Sequence, residues 1–211
     1  MKEKQASLAD QAYEEIKFRI LNLTYAPGMP LTEARLAEEL GMSRSPIRTA
    51  IRMLKEEGLI VTDYYKSMTV KEITKEDIIQ IYQLRELIEI PAFKRIFELE
   101  RYEEYSYRIE EKVVRMCAAA GDSYAWEAAD AAFHMEIISI YENERINRIY
   151  KNNLAELIRM GMYSVRHGME IRRTNENLKQ LVLYMREGDY EHAFAILKED
   201  HFDTGKTKAL S

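Results

Sequence analysis

Three side chains in the second half of the sequence have the types and spacing to hold a metal ion. Asp130 and His134 are one helical turn apart, roughly 5–6 Å between Cβ atoms, and on a helical wheel they fall among Trp126, Phe133, Ile137 and Tyr141. A carboxylate and an imidazole on an apolar face are costly to bury unless something satisfies them. Two readings stand: the two residues hydrogen-bond each other as a buried polar pair, or they are half of a metal site completed from other helices. His201 shares a helical stripe with Tyr190, Phe194 and Leu197 and so points inward, whereas His192 points away. One aspartate and two histidines suit a divalent transition metal, zinc or nickel through the imidazoles and manganese through the carboxylate. Arg85 and Glu89, one turn apart on a face with Ile78, Ile81, Ala92 and Ile96, read either as an internal ion pair or as a cation facing a bound ligand.

A second set has different chemistry. Arg44, Arg48, Arg52 and Lys55 fall within an arc of roughly 80° on a helical wheel, with Ser45 beside them and Ile47, Ala50, Ile51 and Leu54 on the other side. Such a helix has one face to pack and one to lie in a major groove. Arginine can pair with guanine through two parallel hydrogen bonds, giving roughly 1–3 kcal/mol of discrimination. Arg44 and Arg48, near the helix start, are best placed for bases. Serine and lysine mainly anchor phosphates. A merely solvated face is the plain alternative. Against it, the run from Ser43 to Lys55 contains no acid, follows a short helix through a turn with Gly41, and precedes a hairpin with Lys66 at its tip. A basic tip can reach the adjacent minor groove.

The elements that must position these residues are marked by turn signals. Helices are predicted over 8–23, from Thr32 as N-cap to Leu40, and from Ser43 as N-cap to about Glu57, with Gly41 and Gly58 as stops. Residues 59–73 are rich in β-branched and aromatic types and read as two short strands turning near Tyr65-Lys66-Ser67. Three helices and a hairpin make a winged helix-turn-helix over residues 1–72. From 73 to 211 only helical patterns remain, at approximately 75–98, 102–120, 123–141, 144–167, 174–187 and 189–203. This second part is an all-α domain with its own core.

Composition narrows the class. The 211 residues carry a net charge of −5, yet residues 1–72 hold 11 basic and 11 acidic side chains, so the excess acid lies entirely in the second part. A lone Cys117 excludes an intrachain disulfide framework and a multi-cysteine zinc site. No apolar run approaches the roughly 20 residues of a membrane helix, and the first residues lack a secretory stretch. A cytoplasmic protein without membrane contact is expected.

The run from Tyr13 to Ile60 resembles the DNA-binding domain of the GntR family of bacterial transcription regulators. It carries the pattern PG-x-x-L-x-E-x-x-LA-x-x-LG-x-SR-x-P-I-R-x-A-I-x-x-L-x-x-x-GLI. The resemblance implies that Arg44 and Arg48 contact bases, that Ser43 and Ser45 contact phosphates, and that a homodimer binds a palindromic double-stranded operator. Two positions depart from the family: the wing tip reads Lys66-Ser67, and Ala34 stands where some members carry an operator-contacting arginine, with Arg35 beside it.

The second part is similar to the FCD effector domain of the FadR-like branch of that family. The similarity rests on Gly121-Asp122, Asp130 and Phe133-His134 at the spacing GD-x(7)-D-x-x-FH, and on a last helix opened by Gly188-Asp189 and ending in His201. The segments Leu84 to Glu89 and Asn143 to Ile146 match as well. An antiparallel bundle of six or seven helices is implied, with a central pocket for a small organic acid that often coordinates a bound metal. The ligands carried over are Asp130, His134 and His201. The family's usual fourth, a histidine at the start of the penultimate helix, is absent from Thr174-Asn175-Glu176-Asn177-Leu178, where Asn177 is the stand-in. The expected function is a regulator, in most members a repressor, whose operator affinity answers to a carboxylate effector in a pocket that Arg85 faces. The alternatives are a DNA-binding dimer with a metal-free or vestigial pocket, and a metal-dependent hydrolase. No general base or nucleophile accompanies the three ligands, and hydrolysis would leave the basic helix without a role. A non-enzyme is therefore expected.

Overall fold

In the computed structural model, which describes residues 7–62 and 67–210, the chain divides between Ile73 and Thr74 into two units. The first begins with α1, Leu8–Leu21. Ser7 and Asp10 form a capping box: Ser7 Oγ accepts from Asp10 N, and the Asp10 carboxylate accepts from Ser7 N. Ala12, Ile16 and Ile20 bury one stripe of α1, while Leu8 stays exposed. The helix α2, Glu33–Leu40, is capped by the Thr32 hydroxyl and ends at Gly41 in the left-handed conformation. The helix α3, Arg44–Glu56, follows. Ser43 occupies its N-cap position, but its hydroxyl makes no capping bond.

The small sheet of this unit has one strand more than the sequence pattern shows. Besides β2, Ile60–Thr62, and β3, Met68–Val70, a strand β1 at Pro30–Leu31 pairs with β3, giving the antiparallel order β1-β3-β2. Two residues are too few to display a period, and Pro30 suits an edge strand because it has no N–H to donate. Register is set by Leu31 opposite Met68 and Ile60 opposite Val70, which places Leu31, Ile60 and Val70 in the core. Gly28 precedes β1 at φ +76°, where a Cβ would overlap the Glu72 carboxylate. Lys66 lies outside the described residues.

The second unit is helical throughout. Its members are α4, Lys75–Glu98; α5, Tyr102–Ala118; α6, Ser123–Ile138; α7, Glu144–Asn152; α8, Leu154–Arg166; and α9, Ile171–Glu187. A final run holds α10, Tyr190–Ala195, a π-helical segment, Ile196–Asp203, and α11, Thr204–Leu210. Helix α6 packs against α4, α5 and α8 and buries an arc of roughly 160° that includes Glu127, Asp130 and His134. That is why polar side chains on it face the protein interior. Three boundaries differ from expectation, one being the start of α9 at Ile171 rather than 174. Residues 144–167 are two helices, broken at Asn153, and the last helical run extends beyond 203 to Leu210. No helix among the described residues is long and apolar enough to cross a membrane.

Candidate DNA-binding face and buried metal and effector site

Helix α3 separates its faces as the sequence predicts. Ile47, Ala50, Ile51 and Leu54 are buried, while Ser43, Arg44, Ser45, Arg48, Arg52 and Lys55 are all exposed. Arg48 is held by a fork: its Nε and Nη2 donate to the two Glu33 oxygens at 3.1 and 2.9 Å. Arg52 lies 4.0 Å from Glu56. Arg35 donates from Nε to Glu39 at 2.6 Å, which ties it to its own helix.

In the helical unit, Asp130, His134 and His201 come together, each offering one ligand atom within 4.8 Å of the others. His134 Nε2 is 2.9 Å from His201 Nε2 and 3.4 Å from Asp130 Oδ2, and His201 Nε2 is 3.1 Å from Asp130 Oδ1. Metal–ligand bonds of about 2.0–2.1 Å at tetrahedral angles set ligand atoms roughly 3.3 Å apart. The three donors therefore fit one ion, and the two imidazoles stack with ring centres 4.9 Å apart. Behind His134, its Nδ1 faces Glu89 Oε2, the carboxylate–histidine arrangement that orients a metal-binding imidazole. Glu89 also accepts from Arg85 Nε at 3.0 Å and from the Tyr150 hydroxyl at 2.9 Å. Arg85 Nη2 reaches His134 Nε2 at 2.5 Å, and its guanidinium lies over the Phe202 ring. Arg85 thus forms the internal ion pair and lines the cavity as well.

His201 faces inward, though not through the winding that a helical wheel assumes. The wheel assumes α winding, whereas His201 sits in the π-helical segment, where the turns are wider. His201 and Phe202 are buried there, while Tyr190 and Phe194 on the predicted stripe are only half-buried. His192 is exposed, as expected.

Asn177 is not brought to the three ligands. It lines a separate cavity with Thr174, Thr204 and Lys208. Two residues along a helix turn roughly 200°, so Asn175 faces the core instead, where its Oδ1 accepts from Trp126 Nε1 at 2.8 Å.

Charge is finely divided in this interior. Burial alone would raise the Asp130 pKa, but His134 and His201 hold it well below the usual carboxylate range. Burial likewise works against ionised Glu89, yet His134 and Arg85 bring its pKa down to about 2. At His134, burial and the Arg85 charge are outweighed by Glu89 and Asp130, and the pKa is raised. At His201 burial prevails over the attraction of Asp130, and the pKa is lowered.

Glu127 escaped the sequence reading. It is buried, lines the same cavity of about 30 Å³, and burial together with the Asp130 charge pushes its pKa well above the usual range. The signal was present. On the wheel Glu127 lies within roughly 20° of His134, on the face already singled out. Gly161 in α8 lies against it, and a Cβ there would overlap the Glu127 carboxyl.

The two parts of the chain match separate families. Residues 8–70 match the model described as bacterial regulatory proteins, gntR family, and residues 80–203 match that of the FCD domain. The second match alone spans more than half of the chain. The chain belongs to the GntR family of DNA-binding transcription regulators, with an FCD domain as its second part. It is 27% identical to the HTH-type transcriptional regulator YdhC of Bacillus subtilis (strain 168), over 90% of this chain and 92% of that one. It is 26% identical to the gluconate operon transcriptional repressor of the same organism, over 70% of this chain and 61% of the repressor. A solved GntR transcriptional regulator from Rhodococcus sp. RHA1 has the same fold, with TM-score 0.69 and 21% identity over 97% of this chain and 98% of that one.

Proposed function

We propose that this regulator binds a palindromic operator as a homodimer and acts as a repressor. A small carboxylate, held through a divalent metal in the helical unit, controls its operator affinity. The observation that carries the reading is the convergence of Asp130, His134 and His201 at the spacing of ligands about one ion, with Glu89 behind His134.

On the DNA side, Arg44 and Arg48 reach base edges, and Ser43, Ser45, Arg52 and Lys55 hold phosphates. Glu33 keeps the Arg48 guanidinium extended until the operator replaces it. Lys66 extends contact to the minor groove. In the helical unit, Glu89 orients the His134 ring, and Asp130 supplies the negative charge. When bound, the metal supplies a Lewis-acid centre for the effector's carboxylate oxygens. The effector changes operator binding only to the extent that it favours one arrangement of the protein over the other. Zinc and nickel match the imidazoles and manganese the carboxylate.

A second reading keeps DNA binding with a metal-free pocket. It is favoured by the Arg85 guanidinium at His134 Nε2, and by the absence of a fourth His, Cys, Asp or Glu from the cluster among the described residues. Metal content per chain, measured on protein purified without chelator or a histidine tag, separates the two. About one equivalent, lost in His134→Ala, supports the metal reading. No metal after incubation with zinc, nickel and manganese supports the other. A gel shift on the DNA upstream of its own gene tests the regulatory reading, which fails if no specific complex forms at modest salt with or without candidate acids.

A further inference from the structure

Among the described residues, nothing satisfies one oxygen of the Glu127 carboxyl. The side chain is only 3% exposed, it lines the cavity shared with Asp130 and His134, and its Oε1 has no hydrogen-bond partner in the structure. A buried polar atom left without a partner is costly, and native structures keep few of them. Leucine, one bond shorter, would fill much of the same space without that cost. A second concession is made next door. Glycine inside a helix weakens it, yet α8 carries Gly161 where any Cβ would overlap the Glu127 carboxyl. Two unfavourable choices on two helices thus keep one carboxyl in the cavity wall.

We propose that Glu127 selects the occupant of this cavity, a small carboxylate that also carries a hydrogen-bond donor, either hydroxyl or ammonium. The donor goes to Glu127 Oε1, and the ligand's own carboxylate faces Arg85 and the cluster of Asp130, His134 and His201. The enclosed space is about 30 Å³, the room of about one water, so a short acid enters only as the side chains lining it draw back. The inference rests on the effector reading above and specifies what that effector must carry.

Three acids on the same three-carbon frame test it by titration calorimetry on the full chain loaded with zinc: propionate, L-lactate and L-alanine. Lactate or alanine should bind at least about tenfold more tightly than propionate, in keeping with a hydrogen bond to a buried acidic group. Whichever of the two binds better identifies the donor. In Glu127→Leu the preference should shrink to within about threefold while propionate affinity is retained. Equal binding of all three acids by the unmodified protein, or a preference that survives in Glu127→Leu, overturns the assignment of Glu127 and leaves the effector reading intact. Binding of none of them overturns both.

Two ligand-free comparisons are independent of these acids. Glu127→Leu should unfold at a higher urea concentration than the parent, because the unpartnered carboxyl is gone. A lower midpoint would mean that the fold itself uses Glu127, and would overturn the proposal. Gly161→Ala should leave the urea midpoint unchanged or raised, since the clash is with the flexible end of Glu127. A markedly lower midpoint would show that the carboxyl cannot move, contrary to a ligand-facing group.

Discussion

Each unit contains an arginine–glutamate pair, and the two pairs differ in almost everything except chemistry. Arg48 and Glu33 meet at 2.9 Å with side chains 72% and 35% exposed, whereas Arg85 and Glu89 meet at 3.0 Å at 11% and 0%. In water such a pair is worth up to about 1 kcal/mol and exchanges partners freely. In the interior, breaking it strands a charge, at a cost of roughly 3–5 kcal/mol. The first pair therefore suits a surface that, in the proposed function, releases its arginine to a base. The second suits a frame that must hold an imidazole still. Surface ion pairs keep a binding face available, and buried ones fix a site.

The sharpest break of that comparison is Glu89→Ala set beside Glu33→Ala. The first should lower stability by roughly 3–5 kcal/mol, since Arg85 and His134 lose their carboxylate. The second should change it by less than about 1 kcal/mol. Urea unfolding of both variants checks the contrast, and similar losses would erase it.

Acid should act on the buried pair in the same direction. The folded pKa of Glu89, about 2, lies below its ordinary value of 4.5. Its contribution is therefore fully present above pH 4.5 and is lost as pH falls from there toward 2. The loss is on the order of 3 kcal/mol. Stability measured against pH in metal-free protein should fall across that window, and Glu89→Gln should flatten the fall.

On the DNA side, Arg44→Ala and Arg48→Ala should each weaken operator binding by about 1–3 kcal/mol and relax discrimination at single base pairs. Arg52→Ala should weaken binding to all sequences alike and reduce the salt slope by about 1. Binding titrations against single-base operator variants at several salt concentrations separate the two patterns. The smallest effect belongs to Glu33→Gln, which should leave stability nearly unchanged while loosening the fork on Arg48.

The same contrast accounts for what the sequence discloses. The basic face of α3 is legible because α winding is regular there, and its apolar side, Ile47 to Leu54, is unbroken. Asp130 and His134 are legible because polar residues on an apolar stripe need a reason. Glu127 was passed over although it lies on the same stripe. Glutamate on a helix is usually a solvated charge, and the helix that buries it, α8, is supplied by tertiary packing. The Glu89–His134 contact likewise joins residues of α4 and α6 that no local pattern relates. The break at Asn153 and the strand Pro30–Leu31 are settled by packing and by pairing with β3. Asn177 lies off the buried face of α9, which runs through Thr174, Asn175 and Leu178, because the stand-in follows the family's position and not the packing.

The π-helical segment Ile196–Asp203 carries a consequence for length. Rewinding it as α-helix with no residue removed would turn everything beyond it by roughly 100°. His201 would swing away from Asp130 even though every chemical group needed for the site remained in the chain. Removing one residue together with the wide turn would restore that facing, so the length of the run and its winding fix the site together.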